Sequence, residues 1–230
     1  MTDHHGLHGL GRIPHPETPR AAALYPVTAH PLYATTTATR RNWRQVIYLD
    51  QGQTGTCVAN ALGHRRGDYP TPEPEIDEVW ARELYVAATG DTGLQDGTSA
   101  LAVCRVLAAR NEISAYHWVT TPDELKNTIL VAGSVAIGID WYSSFDDPVA
   151  RYGSSYIDWV PASGIRGGHE VLLDGVNLTP YYGPPYYWLK NSWGTWYGHN
   201  GRVRVACSAI DTLVFSDGGD AVLPTEILAA

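Results

Sequence analysis

Cys57, His169 and Asn191 are the residues of this 230-residue chain whose types and settings suit nucleophilic chemistry. The turn Asp50-Gln51-Gly52-Gln53-Thr54-Gly55-Thr56 runs directly into a helix predicted over residues 57–66, so Cys57 stands at a helix N-terminus. Unpaired amide N–H groups and the positive end of the helix dipole favour a thiolate there, although a cysteine can also open a helix for packing alone. A thiolate nucleophile needs a proton acceptor that later donates, a task for an imidazole. Nine histidines compete for that role, and His169 has the best setting: in Gly167-Gly168-His169-Glu170-Val171-Leu172-Leu173, small residues clear space for the ring and an apolar run anchors it on a strand. A satisfied structural histidine is the alternative. His64, on the helix of Cys57, reads as surface or packing, and His117 and His199 lack a comparable setting. Asn191 lies in the run WLKNSWGTWYGHNG, where its side-chain carbonyl can accept the imidazole N–H and fix the tautomer while the indole of Trp193 shields that bond. An aromatic, glycine-rich loop packing on a core is the plainer reading of the same run.

Taken together, Gln51-Gly52-x-x-Gly55-x-Cys57, Gly168-His169, and Asn191-Ser192-Trp193-Gly194 followed by Gly198-x-Asn200-Gly201 resemble the papain-like cysteine peptidases, the lysosomal cathepsins included. The resemblance spans about residues 46 to 206, in the family's order Cys, His, Asn. His169 and Asn191 follow Cys57 by 112 and 134 residues, the first short of and the second within the roughly 130 to 150 of that family. The resemblance implies a peptide or protein substrate, no cofactor and no metal. It assigns Gln51 and the Cys57 amide to an oxyanion hole, and Asp96 and Gly97 to a strip that pairs with substrate backbone. Gly138 and Glu170 fall near the pocket for the second acyl-side residue, where Glu170 faces either a basic substrate residue or a neutralising partner such as Arg166 or Lys190. Thr54 stands where secreted members carry a cysteine, Val58 replaces an aromatic, Gly168 precedes the histidine in place of Asp or Asn, and no long helical pro-region is recognisable upstream. These departures look like a compact bacterial or phage-type member, with a phage or host protein as a further expected partner. The same Cys and His would also serve a peptidoglycan peptidase or an amide-forming acyltransferase, and a non-catalytic virion protein could keep the fold.

The elements expected to hold these residues divide the chain in three. Residues 1–45, with Pro-punctuated stretches such as GRIPHPETPR, read as an extended arm with apolar side chains (Leu24, Tyr25, Val27, Leu32, Tyr33) but no core of its own, so it should dock on the body as a brace or as a plug in the cleft. Residues 46–120 read as a helical lobe carrying the nucleophile, with Ile76, Val79, Trp80 and Leu84 at helical spacing and Thr98 or Ser99 as a cap before Leu101, Val103, Val106 and Leu107. A capping box, Thr121 to Glu124 with Pro122 between, opens a further helix through about Leu130. Short β-branched or aromatic runs at 135–139, 170–176, 186–190 and 202–205 make residues 121–230 a β-rich lobe of mainly antiparallel strands. The expected fold is α+β: a helical N-terminal lobe and an antiparallel, β-barrel-like C-terminal lobe, the cleft between them, forming one integrated catalytic domain.

Composition narrows the partners. Charged residues are 17% of the chain and apolar ones 44%, with a formal charge of −8 and no basic stripe, which argues against nucleic acid. No run reaches the ~18 apolar residues of a membrane span. The start MTDHHGLHGL has neither the charged nor the apolar region of a signal peptide, so the expected location is the cytoplasm where the chain is made, or a virion if a phage encodes it. Cys104 and Cys207 read as structural thiols, and three dispersed cysteines make neither a disulfide framework nor a zinc pattern. His4, His5 and His8 lack the accompanying ligands of a metal site. Oligomeric state is not encoded in any of these features.

Overall fold

The computed structural model of the protein describes residues 9–226, so His4, His5 and His8 lie outside the described residues. After the cleft-crossing start described below, the arm forms α1 (Thr18–Leu24), with Pro19 in its first turn, and a short strand β1 (Arg40–Asn42). The arm is therefore not wholly extended: the run Thr18-Pro19-Arg20-Ala21-Ala22-Ala23-Leu24 has a Pro suited to a helix start and three alanines, the best helix formers, behind it.

Three helices follow, α2 (Cys57–Gly67), α3 (Glu78–Thr89) and α4 (Ala100–Ala109). Every residue of α2 is buried, and its last turn carries Arg65 and Arg66, whose charge complements the C-terminal end of the dipole. The Asp77 side chain accepts the Trp80 amide at the start of α3, Gly90 ends that helix in the left-handed region, and the Ser99 side chain accepts the Ala102 amide to open α4. The stretch expected to continue as helix ends in a strand, β2 (Ile113–Trp118), whose β-branched and aromatic residues pair with the last strand of the chain.

The second half contains α5 (Pro122–Val131), opened by the reciprocal Thr121–Glu124 capping box, then β3 (Val135–Tyr142), β4 (Val149–Arg151), β5 (Ser154–Ile157), β6 (Ile165–Asn177), β7 (Tyr186–Lys190), β8 (Arg202–Ala206), α6 (Cys207–Phe215) and β9 (Asp220–Glu226). Among the described residues nine strands form one sheet in the order β2-β9-β3-β6-β7-β8-β5-β4, with β1 on β6. All pairs are antiparallel except β5 with β8, a parallel departure from the expected pattern. Cys207, which follows a strand-like run, opens α6 and is buried.

Two apolar cores result. One packs α2, α3 and α4 against Ile113, Trp118, Ala136, Leu172 and Val222 of the sheet. The other, inside the β-rich half, is dominated by Trp141, Phe145, Tyr187, Trp193 and Tyr197. The architecture is α+β, with α2 laid against β6, and that contact brings the head of the helix to the strand carrying His169. Among the described residues no helix is long and apolar enough to cross a membrane, and no three or more His, Cys, Asp or Glu residues are grouped to hold a metal.

Candidate active site

The turn before α2 is tied to the loop after β7. The Gln51 amide donates to the Ser192 carbonyl (2.9 Å), Asp50 pairs with Trp193, and the Gly194 amide donates to Leu49 (3.2 Å). These bonds fix the loop carrying Asn191 relative to the helix carrying Cys57, although 134 residues separate the two in sequence. His169 sits on β6 opposite Ile139 of β3, fully buried. Its Nε2 lies 2.9 Å from Asn191 Oδ1, and the same oxygen accepts the Ser192 amide at 2.8 Å, which orients the carboxamide so that its carbonyl faces the ring. Imidazole Nε2 then carries the proton, leaving Nδ1 as the basic nitrogen. Trp141 meets the ring edge-on at 4.8 Å and Trp193 lies tilted over it at 5.3 Å, so the His–Asn bond is enclosed by indoles. Trp193 itself is 1% exposed.

Cys57 opens α2 as the motif predicts, but its electrostatics differ from the expectation. Burial dominates and pushes the thiol up to about 12, with the Glu170 charge adding to the effect; the amides of Glu170, Gly11 and Val58, directed at the sulfur, oppose it. The helix terminus is overridden because the sulfur is covered. That the Glu170 amide reaches the sulfur also places Cys57 beside the strand residue next to His169.

The cover is the chain's own residues 9–13. Their backbone is bonded to both walls of the cleft: Gly11 and Arg12 amides to the Gly168 carbonyl (3.1 and 3.0 Å), the Ile13 amide to Thr98 O (2.7 Å), and the Thr98 amide to Gly11 O (2.7 Å), Arg12 pairing with Thr98 in the parallel sense. The Gly9 amide donates to Gly52 O (3.0 Å). Contact is so close that only glycine fits: a Cβ on Gly9 would stand 1.9 Å from Thr54 O and one on Gly11 2.1 Å from Gly55 O. Across the interface, a Cβ on Gly168 would stand 2.2 Å from Arg12 O, so a side chain there would collide with the arm.

The remaining expected site residues divide. Gln51 is buried at the cleft, its Nε2 donating to Gly9 O (2.9 Å) and Thr54 O (2.8 Å), so the donor that an oxyanion would use is taken by an arm carbonyl. Gly97 is buried beneath Gly11, and Gly138 and Glu170 pair across β3 and β6. Asp96 stays exposed at the rim, its amide held by Asp91, and only the backbone of the next two residues reaches the cleft. Neither partner expected for Glu170 is beside it: Arg166 pairs with Asp146 (2.6 Å) and Lys190 with Asp68 (2.5 Å). The cation near Glu170 is Arg12, bonded to Asp220 (2.8 Å). Sequence reasoning missed Arg12 and Asp220. Gly9-Leu10-Gly11-Arg12, two glycines before a charge, was the available signal, but nothing in it names an acidic partner 208 positions away.

A cysteine heading a helix beside a buried His–Asn pair, where a helical layer meets a sheet, brings together the residue types that Cys–His nucleophilic chemistry requires. The sequence model of the papain family cysteine protease matches residues 85–213, and the chain belongs to that family. The matched stretch includes His169 and Asn191 but begins after Cys57 and Gln51. The chain is similar to a viral cathepsin of Mamestra configurata nucleopolyhedrovirus, 31% identical over 210 residues, covering 76% of this chain and 60% of the relative. To a cathepsin L-like proteinase of Fasciola hepatica it is 25% identical over 198 residues, covering 72% and 59%. It thus spans about 60% of the length of the curated relatives it matches. Among solved structures, xylellain, a cysteine protease from Xylella fastidiosa, superposes with a TM-score of 0.64 at 18% identity over 96% of this chain and 97% of that one. The proform of the ragweed pollen cysteine protease Amb a 11 gives 0.67 at 15% identity over 96% and 75%. At these identities the two superpositions speak to the fold, which is papain-like.

Proposed function

We propose that this chain is a cysteine peptidase that hydrolyses peptide bonds through a thioester. The observation that carries the reading is the buried His169 Nε2 to Asn191 Oδ1 bond at 2.9 Å, which leaves Nδ1 as base on the strand whose next amide points at Cys57. Nδ1 takes the Cys57 proton, the sulfur attacks the substrate carbonyl carbon, and a C–S bond forms as the carbonyl π electrons move to oxygen. Gln51 Nε2, released from Gly9 O, donates to that oxyanion together with the Cys57 amide. The tetrahedral species collapses, the C–N bond breaks and His169 returns the proton to the leaving amine. Water, deprotonated by His169, then attacks the thioester and expels the thiolate. Asn191 holds the ring plane and Trp193 keeps water from the bond that does so.

With residues 9–13 in place, a peptide has no access to Cys57, so turnover requires this segment to leave. Gly11→Val opens the cleft without shortening the chain, because a side chain there collides with the Gly55 carbonyl. A positional-scanning peptide library with the Gly11→Val protein is expected to yield cleavage that Cys57→Ala abolishes. A folded Gly11→Val protein that is labelled at Cys57 by iodoacetamide, yet cleaves no peptide in the library, would refute the proposal.

A further inference from the structure

Strands β1, β6, β7 and β8 lie side by side, and the alternation of their residues separates two faces. Val176, Tyr187 and Val205 point into the β-rich core. Their neighbours therefore occupy the outer face, where Arg40 stands in register with Asn177 and Tyr186, and Trp188 with Arg204. Two adjoining hollows on this face share Asn42. One, of about 490 Å³, is lined by Arg40, Tyr186 and Trp188 among others, and one of about 270 Å³ is lined by Arg44, His199 and Arg202 among others. Together they form a groove that is cationic in a chain of formal charge −8. Asp174, 1% exposed, is taken up by Arg202 and Gln45. Among the described residues no carboxylate pairs with Arg40, Arg44 or Arg204. Arg204 Nε is buried with no acceptor, and Nη1 of the same side chain reaches the Tyr152 carbonyl at 3.3 Å. No basic run in the sequence announces this surface, because folding assembles it from two segments: Arg202 donates to Asn42 Oδ1 at 2.6 Å across 160 positions.

The guanidinium groups are held by stacking. Arg204 lies 4.6 Å from the Tyr186 ring and 4.7 Å from Trp188, Arg202 4.6 Å from Trp188, and Arg44 5.3 Å from Tyr69. Stacking fixes each plane and leaves in-plane N–H groups to donate in the fork that matches a carboxylate. The same contacts cover rings on which a nucleobase would stack, Tyr186 being 7% exposed. The net negative charge of the chain also repels a long polyanion. Arg40 on β1 and Arg204 on β8 are three strand spacings apart, about 14 Å, which an extended peptide covers in about four residues. Carboxylates at alternate positions of such a peptide meet both arginines. We infer that this groove is a docking site for an acidic, extended segment of a protein partner, its Asp or Glu side chains held by Arg40 and Arg204. The inference is independent of the peptidase reading, since docking here needs no turnover and leaves residues 9–13 in place.

Binding is measured by fluorescence anisotropy on full-length Cys57→Ala protein, so that cleavage does not intervene. The probes are a rhodamine-labelled Glu-Thr-Glu-Thr-Glu-Thr-Glu peptide and the same peptide with Gln for each Glu. At low salt the Glu peptide is expected to bind about 10-fold or more tighter than the Gln peptide, and to weaken about 10-fold between about 50 and about 300 mM NaCl as the charges are screened. Arg40→Gln and Arg204→Gln should each weaken it about 3- to 10-fold, the effect of one charge-assisted bond at a partly exposed site. Arg204→Lys keeps the charge without the planar fork and should fall between wild type and Arg204→Gln. Arg20→Gln, an exposed position on α1, should leave binding unchanged. Arg40 is exposed and unpaired, so Arg40→Gln tests the groove without disturbing the fold. Equal binding of the two peptides, or Glu-peptide binding unchanged by both Arg40→Gln and Arg204→Gln, would overturn the inference. So would a short single-stranded DNA that binds through Arg40 and Arg204 more tightly than the Glu peptide, which would make the groove a phosphate site. Glu-peptide binding alongside a Gly11→Val protein that cleaves no library peptide would leave the groove standing and sink the peptidase reading. Cleavage without Arg40-dependent peptide binding would do the reverse.

Discussion

The buried cluster of Lys190 with Asp68 and that of Arg12 with Asp220 and Glu170 are built differently. Lys190 Nζ donates to Asp68 Oδ2 and to the Ile47 carbonyl, while Asp68 Oδ1 accepts the Val46 and Ile47 amides, so charge and lone pairs are used within the folded body. Arg12, Asp220 and Glu170 leave polar atoms unused on all three side chains among the described residues, and their cation sits on a segment held chiefly by backbone bonds. A closed network suits two parts of the chain that stay together. An open one suits an occupant that exchanges.

The largest effect should come from breaking the closed cluster. Asp68→Ala strands a Lys190 that is 1% exposed and removes the acceptor of two amides, and is expected to cost about 3 to 5 kcal/mol in urea unfolding. Asp220→Asn should cost only about 1 to 2 kcal/mol, since Arg12 can follow its segment into water. Equal losses would mean that the two clusters are alike and that the arm is as structural as β7.

Catalysis supplies the next largest contrast. In a Gly11→Val background, Gln51→Ala is expected to lower turnover by roughly 10² to 10³ with folding unchanged, the effect of one missing oxyanion donor. A full rate would take Gln51 out of the chemistry and leave it as a ligand of Gly9.

Cysteine labelling follows. Cys57 in the closed protein is a buried thiol, and Gly11→Val restores its exposed helix terminus, so iodoacetamide modification at pH 7.5 should quicken roughly 100-fold or more. Cys104, buried in the helical core, should stay unlabelled in both proteins, as mass spectrometry of the peptides will show. Unchanged Cys57 labelling would mean that residues 9–13 do not govern access.

The smallest effect is a pH dependence confined to the arm. His30, in the arm, meets His117 of β2 edge-on at 5.2 Å, and its Nδ1 accepts the Leu32 amide, which requires a neutral ring. Burial lowers His30 to about 4, helped by the charges of His117 and Arg65, and burial also lowers His117. The docked state therefore binds fewer protons than the released one between the ordinary histidine value of about 6.5 and 4. Docking should be at full strength above that window and weaken as pH falls through it. Faster Cys57 labelling at pH 5 than at pH 7.5, after correction for intrinsic thiol reactivity, would show this, and His30→Phe should flatten the profile.

What could be read from the sequence was local or carried by motif. Cys57 after its glycine-containing turn, His169 before an apolar strand, Asn191 in its Trp-flanked loop and the Thr121–Glu124 box each announce their setting within a few residues, because caps, turns and strand patterns are short-range physics. The strand character of residues 113–118 escaped because β2 is defined by its pairing with β9, more than 100 residues on. Likewise nothing adjoining Gly9-Leu10-Gly11 in sequence marks it as a fitted segment, and only the Thr54 and Gly55 carbonyls facing the two glycines turn that spacing into a fit.

The sequence by itself determined that this chain carries a cysteine, a histidine and an asparagine in settings suited to acyl transfer, on helical and β-rich halves, since residue type and periodicity carry that information. Only the tertiary structure decided the state of the site. The pKa of Cys57 depends on what covers it, the charge on Glu170 on what stands opposite, and both covers come from residues 9–13. Burial and Coulomb interactions act through space, so a thiol that the helix terminus alone would favour as thiolate is held neutral by a segment 44 to 48 positions earlier in the chain.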